Sequence, residues 1–248
     1  MHTEEREQPS SLSLGEERNM VTQLVLVNVT VFILLFFTEI IYGIEGNPPA
    51  RFHDDVLRHL LLPADLTRLI HQPWVIITSL FTHTGTLAIF SNMVWLCCFG
   101  YVLQDQAGHR RILPLYLFSG LAGMIFYLAC MQLIPAFQYI QPFASTTGAA
   151  ASIMGLAIGA TVVAPQYRLL SNLPIPFWIV TVIFIIVNIA SFSFGSQDLT
   201  SLPALIGGAL AGYIYMKRWQ KGHDMGQGFN KLLYKITHLF HPKVKVIK

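Results

Sequence analysis

This 248-residue chain is poor in charge: only 12% of its residues are Asp, Glu, Lys or Arg, against 53% hydrophobic. With a mean hydropathy of +0.53, that balance excludes an ordinary soluble domain of this length and points to an integral membrane protein. A formal net charge of +3 leaves no basic excess of the kind nucleic acid requires, and no nucleic-acid partner is expected. Three cysteines, Cys97, Cys98 and Cys130, all lie inside apolar stretches without metal-ligand spacing. They exclude a disulfide framework and are read as packing residues, with no metal or cofactor expected. Residues 1–20 lack the basic start and small-residue cleavage site of a secretory signal; they read as a disordered tail carrying Glu4, Glu5, Glu16 and Glu17 beside Arg6 and Arg18.

What the chain does have is long apolar runs. About 20 apolar residues span a hydrocarbon core of about 30 Å. Six windows qualify, roughly 21–44, 82–103, 112–134, 146–165, 174–194 and 202–218. The expected fold class is therefore an all-α membrane protein, a six-transmembrane-helix bundle over 21–218, followed by a basic tail, 219–248. With six spans both termini share a side, and that side holds thirteen of the 16 lysines and arginines. Cytoplasmic loops carry the excess, so both termini are expected in the cytoplasm, which fits a bacterial inner membrane.

Two segments outside the spans are apolar in pattern. The loop 45–80 contains Phe52, Leu60, Leu61, Leu62, Leu66, Leu69 and Ile70, broken by Pro63 and Pro73-Trp74. Either it lies in the bilayer interface with Trp74 at headgroup depth or it forms a small folded cap; its apolar content favours the interface. In the tail, Phe229, Leu232, Leu233, Ile236 and Phe240 recur at three and four residues, one helical face, with Lys231, Lys235 and His238 elsewhere around it. A basic amphipathic helix suits anionic lipid, the alternative being a solvated or partner-bound tail.

Several motifs run through the apolar stretches. Pro73-Trp74 leads to Thr82-His83, Asn92-Met93 and Phe99-Gly100; Gly108, Arg110 and Arg111 precede Leu115-Tyr116-Leu117 and Ser119-Gly120-Leu121-Ala122-Gly123. Gly148-Ala149-Ala150-Ala151-Ser152 and Ala204-Leu205-Ile206-Gly207-Gly208, continuing to Gly212, follow. In order and spacing, over about residues 20–218, this pattern resembles the rhomboid family of intramembrane serine proteases. The resemblance implies a rhomboid-like bundle with an interfacial loop between its first two spans. It also implies a serine nucleophile activated by a histidine of the last helix.

Position by position, the reactive groups implied by the resemblance are missing. Asn92 matches an asparagine that helps hold the oxyanion. The second oxyanion donor is replaced by Ala88, four residues earlier, and His83, nine residues before Asn92, matches a histidine that shapes the external loop. Ala150 stands at the nucleophile position and Leu205 at the base position. A shifted frame would put Thr147 at the nucleophile position, so neither frame supplies a serine. At about 100° per helical residue, Ser152 points some 200° from Ala150, and Ser145, five residues earlier, is not expected to face the site either. Without a base and oxyanion site a stray hydroxyl has little power over a peptide bond.

The resemblance then implies a pseudoprotease that binds transmembrane segments of client membrane proteins, with the bilayer and an active rhomboid relative as further partners. A divergent serine endopeptidase using Ser145, Thr147 or Ser152 is the alternative. A six-span transporter is a second one, but the spans hold few ionisable residues, Glu39 and His83 near their ends, and no inverted repeat. Gly155 with Gly159 and Gly208 with Gly212 have the small-xxx-small spacing that lets membrane helices approach closely.

Overall fold

The computed structural model describes residues 19–168, 175–193 and 199–237. The first long helix, α1 (Met20–Ile44), begins where the Asn19 side chain accepts the Thr22 N–H at 3.2 Å. An Asn at this position satisfies one of the orphan amides of a helix start, so Asn19 and Met20 belong to the helix and not to the preceding tail. Only Val21, Leu24 and Asn28 of α1 are buried, while Leu34 and Phe37 among others stand exposed. Such a face is tolerable only in lipid.

A layer of short elements follows: α2 (Pro49–Asp55), β1 (Leu62–Pro63), α3 (Leu66–His71) and α4 (Val75–Thr78). The chain then enters α5 (Thr86–Ala107) and α6 (Ile112–Leu133), passes α7 (Pro135–Gln138) and β2 (Ser145–Thr146), and continues as α8 (Ala149–Val163), α9 (Phe177–Ser193), α10 (Leu202–Gln220) and α11 (Gln227–Thr237). Each of the six expected windows holds a helix, and the protein is an all-α membrane bundle. The stretches Met20–Ile44, Thr86–Ala107 and His109–Leu133 are long and apolar enough to cross a bilayer, and α8 and α9 are shorter apolar helices. The second helix starts at Thr86, four residues later than its window, because Gly85 is extended (φ −155°, ψ 148°). His83 therefore sits in the approach to α5 and not within it.

At the loop end of the bundle, β1 pairs antiparallel with β2, Leu62 opposite Thr146 and Pro63 opposite Ser145. The Ala64 N–H extends the pairing to the Ala144 carbonyl at 3.0 Å, and Gln132 of α6 donates to the Ala64 carbonyl at 2.9 Å. Phe52, Leu61, Leu62 and Val75 are buried beneath this strap, whereas Leu66, Ile70, Trp74 and Ile77 are exposed. The loop is folded on its inner side and presents an apolar flank on its outer side. The Trp74 indole N–H donates to the His59 carbonyl at 2.9 Å.

At the opposite, tail end, α10 runs two residues past its window and α11 covers Phe229 and Leu232 of the amphipathic pattern. Residues 1–18, Phe240 and His238 lie outside the described residues.

The core is a tight packet in which α8 meets α5, α6 and α10. A Cβ placed on Gly208 would overlap the Ala151 carbonyl, and one on Gly212 the Gly155 carbonyl. These are backbone-to-backbone contacts between α10 and α8, so no rotamer change relieves an added side chain. Gly43 of α1, by contrast, has nothing within 4 Å of an added Cβ. Gly212→Val is expected to destabilise the bundle by about 1–3 kcal/mol or more, as overpacking does, and Gly43→Ala to be neutral within about 1 kcal/mol. Thermal unfolding in detergent checks both; equal melting of Gly212→Val and the parent protein would contradict the packing.

Candidate functional site

At 15 residues, α8 is about 22 Å long at 1.5 Å per residue, well short of a hydrocarbon core. Its start is fixed inside the bundle: the Gly148 N–H donates to the Ser79 carbonyl at 2.9 Å, and a Cβ on Gly148 would crowd Met124 and Leu80. The Leu80 carbonyl in turn accepts the Tyr116 hydroxyl at 2.8 Å. Above this recessed helix start lies a cavity of about 410 Å³.

Ala88, Asn92, Ala150 and Leu205 all line that cavity. They come from three helices, α5, α8 and α10, and their convergence follows from the glycine contacts that draw α10 onto α8. Leu205 is buried, with 6% of its surface exposed. The floor is thus a methyl at Ala150 facing the same space as the branched hydrocarbon of Leu205, with Ala88, Ala151 and Ala204 around them. Neither Ala150 nor Leu205 can lose, accept or donate a proton, so nucleophile–base chemistry has no groups to run on at these positions.

The rim is polar. His83, Thr84, Ser145, Thr146, Thr147 and Ser201 border the cavity, as does His53 of α2. The structure corrects the expectation for Ser145. It lies in β2 and not on α8, so the angular argument from helix periodicity does not apply, and strand pairing with Pro63 carries it to the cavity. Ser152 is fully buried, is absent from the cavity lining, and turns its hydroxyl toward Gly120 of α6. Thr147 borders the cavity on the loop before α8.

His83 is 4% exposed. Its Nδ1 lies 3.4 Å from the Phe81 carbonyl, which can only accept, so the ring proton belongs on Nδ1. Nε2 is buried and has no hydrogen-bond partner among the described residues, so no rim hydroxyl reaches it. Burial pushes the imidazole down to about 4, against a smaller upward pull from the Phe81 carbonyl. The Nδ1 of His53 is 3.5 Å from the Asp54 carboxylate. Among the described residues, no three His, Cys, Asp or Glu side chains converge on one point.

His53, Thr84, Thr146 and Ser201 are the polar cavity residues that sequence reasoning missed, His53 and Ser201 being the farthest from any residue it singled out as a site. Both lie outside the matched motifs, in short elements whose approach to the site is set by tertiary contacts. The only signal for His53 was its place in a loop with a buried aromatic neighbour, Phe52.

The buried imidazole has a pH consequence. The unfolded chain protonates His83 near its ordinary value of about 6.5, the folded one only near 4. Protons therefore favour the unfolded state between these values, and stability falls as pH drops from about 6.5 to 4, by about 3 kcal/mol. Above 6.5 the contribution is flat. A smaller acid-side loss of melting temperature in His83→Gln than in the parent protein is the expected outcome, and identical slopes would contradict it.

Comparison with known proteins gives the geometry its context. The chain matches the family model of the Rhomboid domain over residues 70–219. It is 31% identical over 84 residues to Inactive RHOMBOID-like protein 8 of Arabidopsis thaliana, covering 34% of this chain and 24% of that protein. It is 39% identical over 64 residues to Rhomboid-like protein 16, chloroplastic, of the same plant, covering 26% and 19%. With RHOMBOID-like protein 6, mitochondrial, it shares 28% over 131 residues, 44% of this chain and 43% of that one. The chain thus spans less than half the length of each of these relatives. Since the domain model covers more than half of the sequence, and the helices it covers build the bundle around the cavity, the chain belongs to the rhomboid family.

Proposed function

We propose that this protein is a rhomboid pseudoprotease, which binds transmembrane segments of client membrane proteins without cleaving them. The observation that carries the reading is the meeting of Ala150 and Leu205 in one cavity with Ala88 and Asn92. At the two positions where the family's chemistry resides there are only hydrocarbon groups. The name of one relative, Inactive RHOMBOID-like protein 8, supports the same direction. Polar catalytic groups in a membrane need partners or water; replacing them with apolar ones leaves an apolar floor beside a largely polar lining. A cavity of about 410 Å³ falls in the range of ordinary ligand pockets and admits a few side chains of a client helix. The excess of Lys and Arg on the side of the termini supports a cytoplasmic position for both ends, in an orientation that suits a bacterial inner membrane. The bordering hydroxyls of Ser145 and Thr147 favour a divergent endopeptidase as the second reading.

The purified protein, reconstituted with a permissive single-span rhomboid substrate, is expected to give no cleavage above background. Cleavage that a serine-directed inhibitor abolishes, and that is lost on Ser145→Ala or Thr147→Ala, would establish the second reading instead. The combined Ala150→Ser, Leu205→His and Ala88→His protein is expected to recover cleavage only in part, since the rim hydrogen bonds that orient a base were never set. Binding is read separately: a photo-crosslinking residue at position 205 is expected to capture single-span membrane proteins, and adducts with lipid alone would count against a client role.

A further inference from the structure

The tail end of the bundle carries a cluster that client binding does not use. After α10 the chain turns through Gly222, whose φ of 87° suits glycine, and reaches Asp224. The Asp224 carboxylate accepts the Gly226 N–H at 2.8 Å and the Tyr215 hydroxyl at 3.4 Å, and stands 3.7 Å from Nε of Arg111. The Arg111 guanidinium lies 4.6 Å from the centroid of the Trp219 ring. Gly226 packs on the Tyr215 hydroxyl and Pro114, and the Asn230 side chain donates to the Arg110 carbonyl at 3.0 Å. Both salt-bridge partners are largely shielded, with side-chain exposures of 26% and 15%. The start of α11 is therefore pinned to α6 and α10.

Pinning gives α11 a fixed aspect. At about 100° per residue, Asn230, which faces the bundle, lies about 100° from Phe229 on one side, and Leu232 lies about 60° from Phe229 on the other. Lys235 follows about 60° beyond Leu232, with Lys231 farther round. Leu232 is 56% exposed and Met225, just before the helix, 41% exposed; Lys231 and Lys235 are exposed too. Nearby, Arg110, Lys217, Arg218 and Lys221 are exposed. Among the described residues at this end the acids are Asp105 and Asp224, the second already paired with Arg111.

We propose that α11 is a docking surface for the anionic headgroup layer of the bilayer that surrounds the bundle. Its apolar sector sinks to the acyl boundary and its lysines and the basic collar meet lipid phosphates. An apolar strip alone would accept a protein partner, but a strip beside exposed cations that have no carboxylate partner among the described residues calls for anions, and the layer beside the ends of α6 and α10 is the one the bundle already adjoins. Because Asp224 and Asn230 hold the helix in place beforehand, little ordering is left to occur on contact.

Hydrogen exchange of residues 227–237 in the full-length protein tests this, in nanodiscs of phosphatidylcholine alone or with phosphatidylglycerol, one copy per disc. Exchange is expected to slow on the order of fivefold or more with the anionic lipid, as a few lysines near a charged surface provide. The effect should shrink in high salt and in Lys231→Gln/Lys235→Gln, with α6 and α10 unchanged. Asp224→Asn is expected to speed exchange of residues 227–230 in both bilayers. Equal exchange of the parent protein in the two lipids would overturn the proposal. So would a lipid effect untouched by the lysine substitutions or by salt, or protection that appears only in discs carrying two copies. The comparison of lipids needs no variant to fold, and its result does not depend on whether clients bind.

Discussion

The close approach of α8 and α10 is the constraint on which the rest of this structure depends. In lipid, helices gain nothing from hiding apolar surface, because the surroundings are as apolar as the side chains. Association has to come from contact itself, and contact is closest where side chains are smallest. Gly208 over the Ala151 carbonyl and Gly212 over the Gly155 carbonyl bring two backbones to the limit of approach. Gly155 makes room for the Ser119 side chain of α6, so the three helices form one packet. Everything that lines the cavity hangs from that packet, and a shift of a single turn in α10 would carry Leu205 away from Ala150.

The cavity follows from a second constraint, the shortness of α8. A central helix of 15 residues cannot reach both surfaces of a bilayer, and its recessed start leaves a volume that the loop end has to wall. The strap between β1 and β2 supplies the wall and the bond from Gly148 to Ser79 sets the floor. The polar part of the lining comes mostly from residues before the helices, His83, Thr84, Ser145, Thr146 and Thr147, and the apolar part mostly from helix residues that pack, Ala88, Ala150, Ala151, Ala204 and Leu205. In such a floor a serine and a histidine would need each other or water, whereas Ala150 and Leu205 need neither.

How much of this was readable in the sequence depends on whether periodicity or tertiary pairing places a residue. The six apolar windows and the glycine spacings were legible because helix geometry repeats along the chain, and the positions Ala88, Asn92, Ala150 and Leu205 were singled out by what the rhomboid resemblance implies, not by periodicity. Ser145 and His53 were not. Ser145 reaches the cavity through a two-residue strand paired with Pro63, and His53 through a short helix held by the burial of Phe52. Neither pairing leaves a period to read. The cluster around Asp224 escaped for the same reason, being assembled from α6, α10 and a turn far apart in sequence.

That cluster also bears on the cavity at the other end. Helix α6 is tied near its start by Arg111 to Asp224 and near its finish by Gln132 to the Ala64 carbonyl. Helix α10 carries Leu205 at one end, and Tyr215 and Trp219, which meet Asp224 and Arg111, at the other. Two helices tied together at the tail end and both packed on α8 have little freedom to slide, because any shift has to be accommodated by backbone contacts that cannot compress. Because the strap carrying Ser145 hangs from the same frame through Gln132 and the Ala64 carbonyl, a displacement of α6 would reach the wall of the cavity.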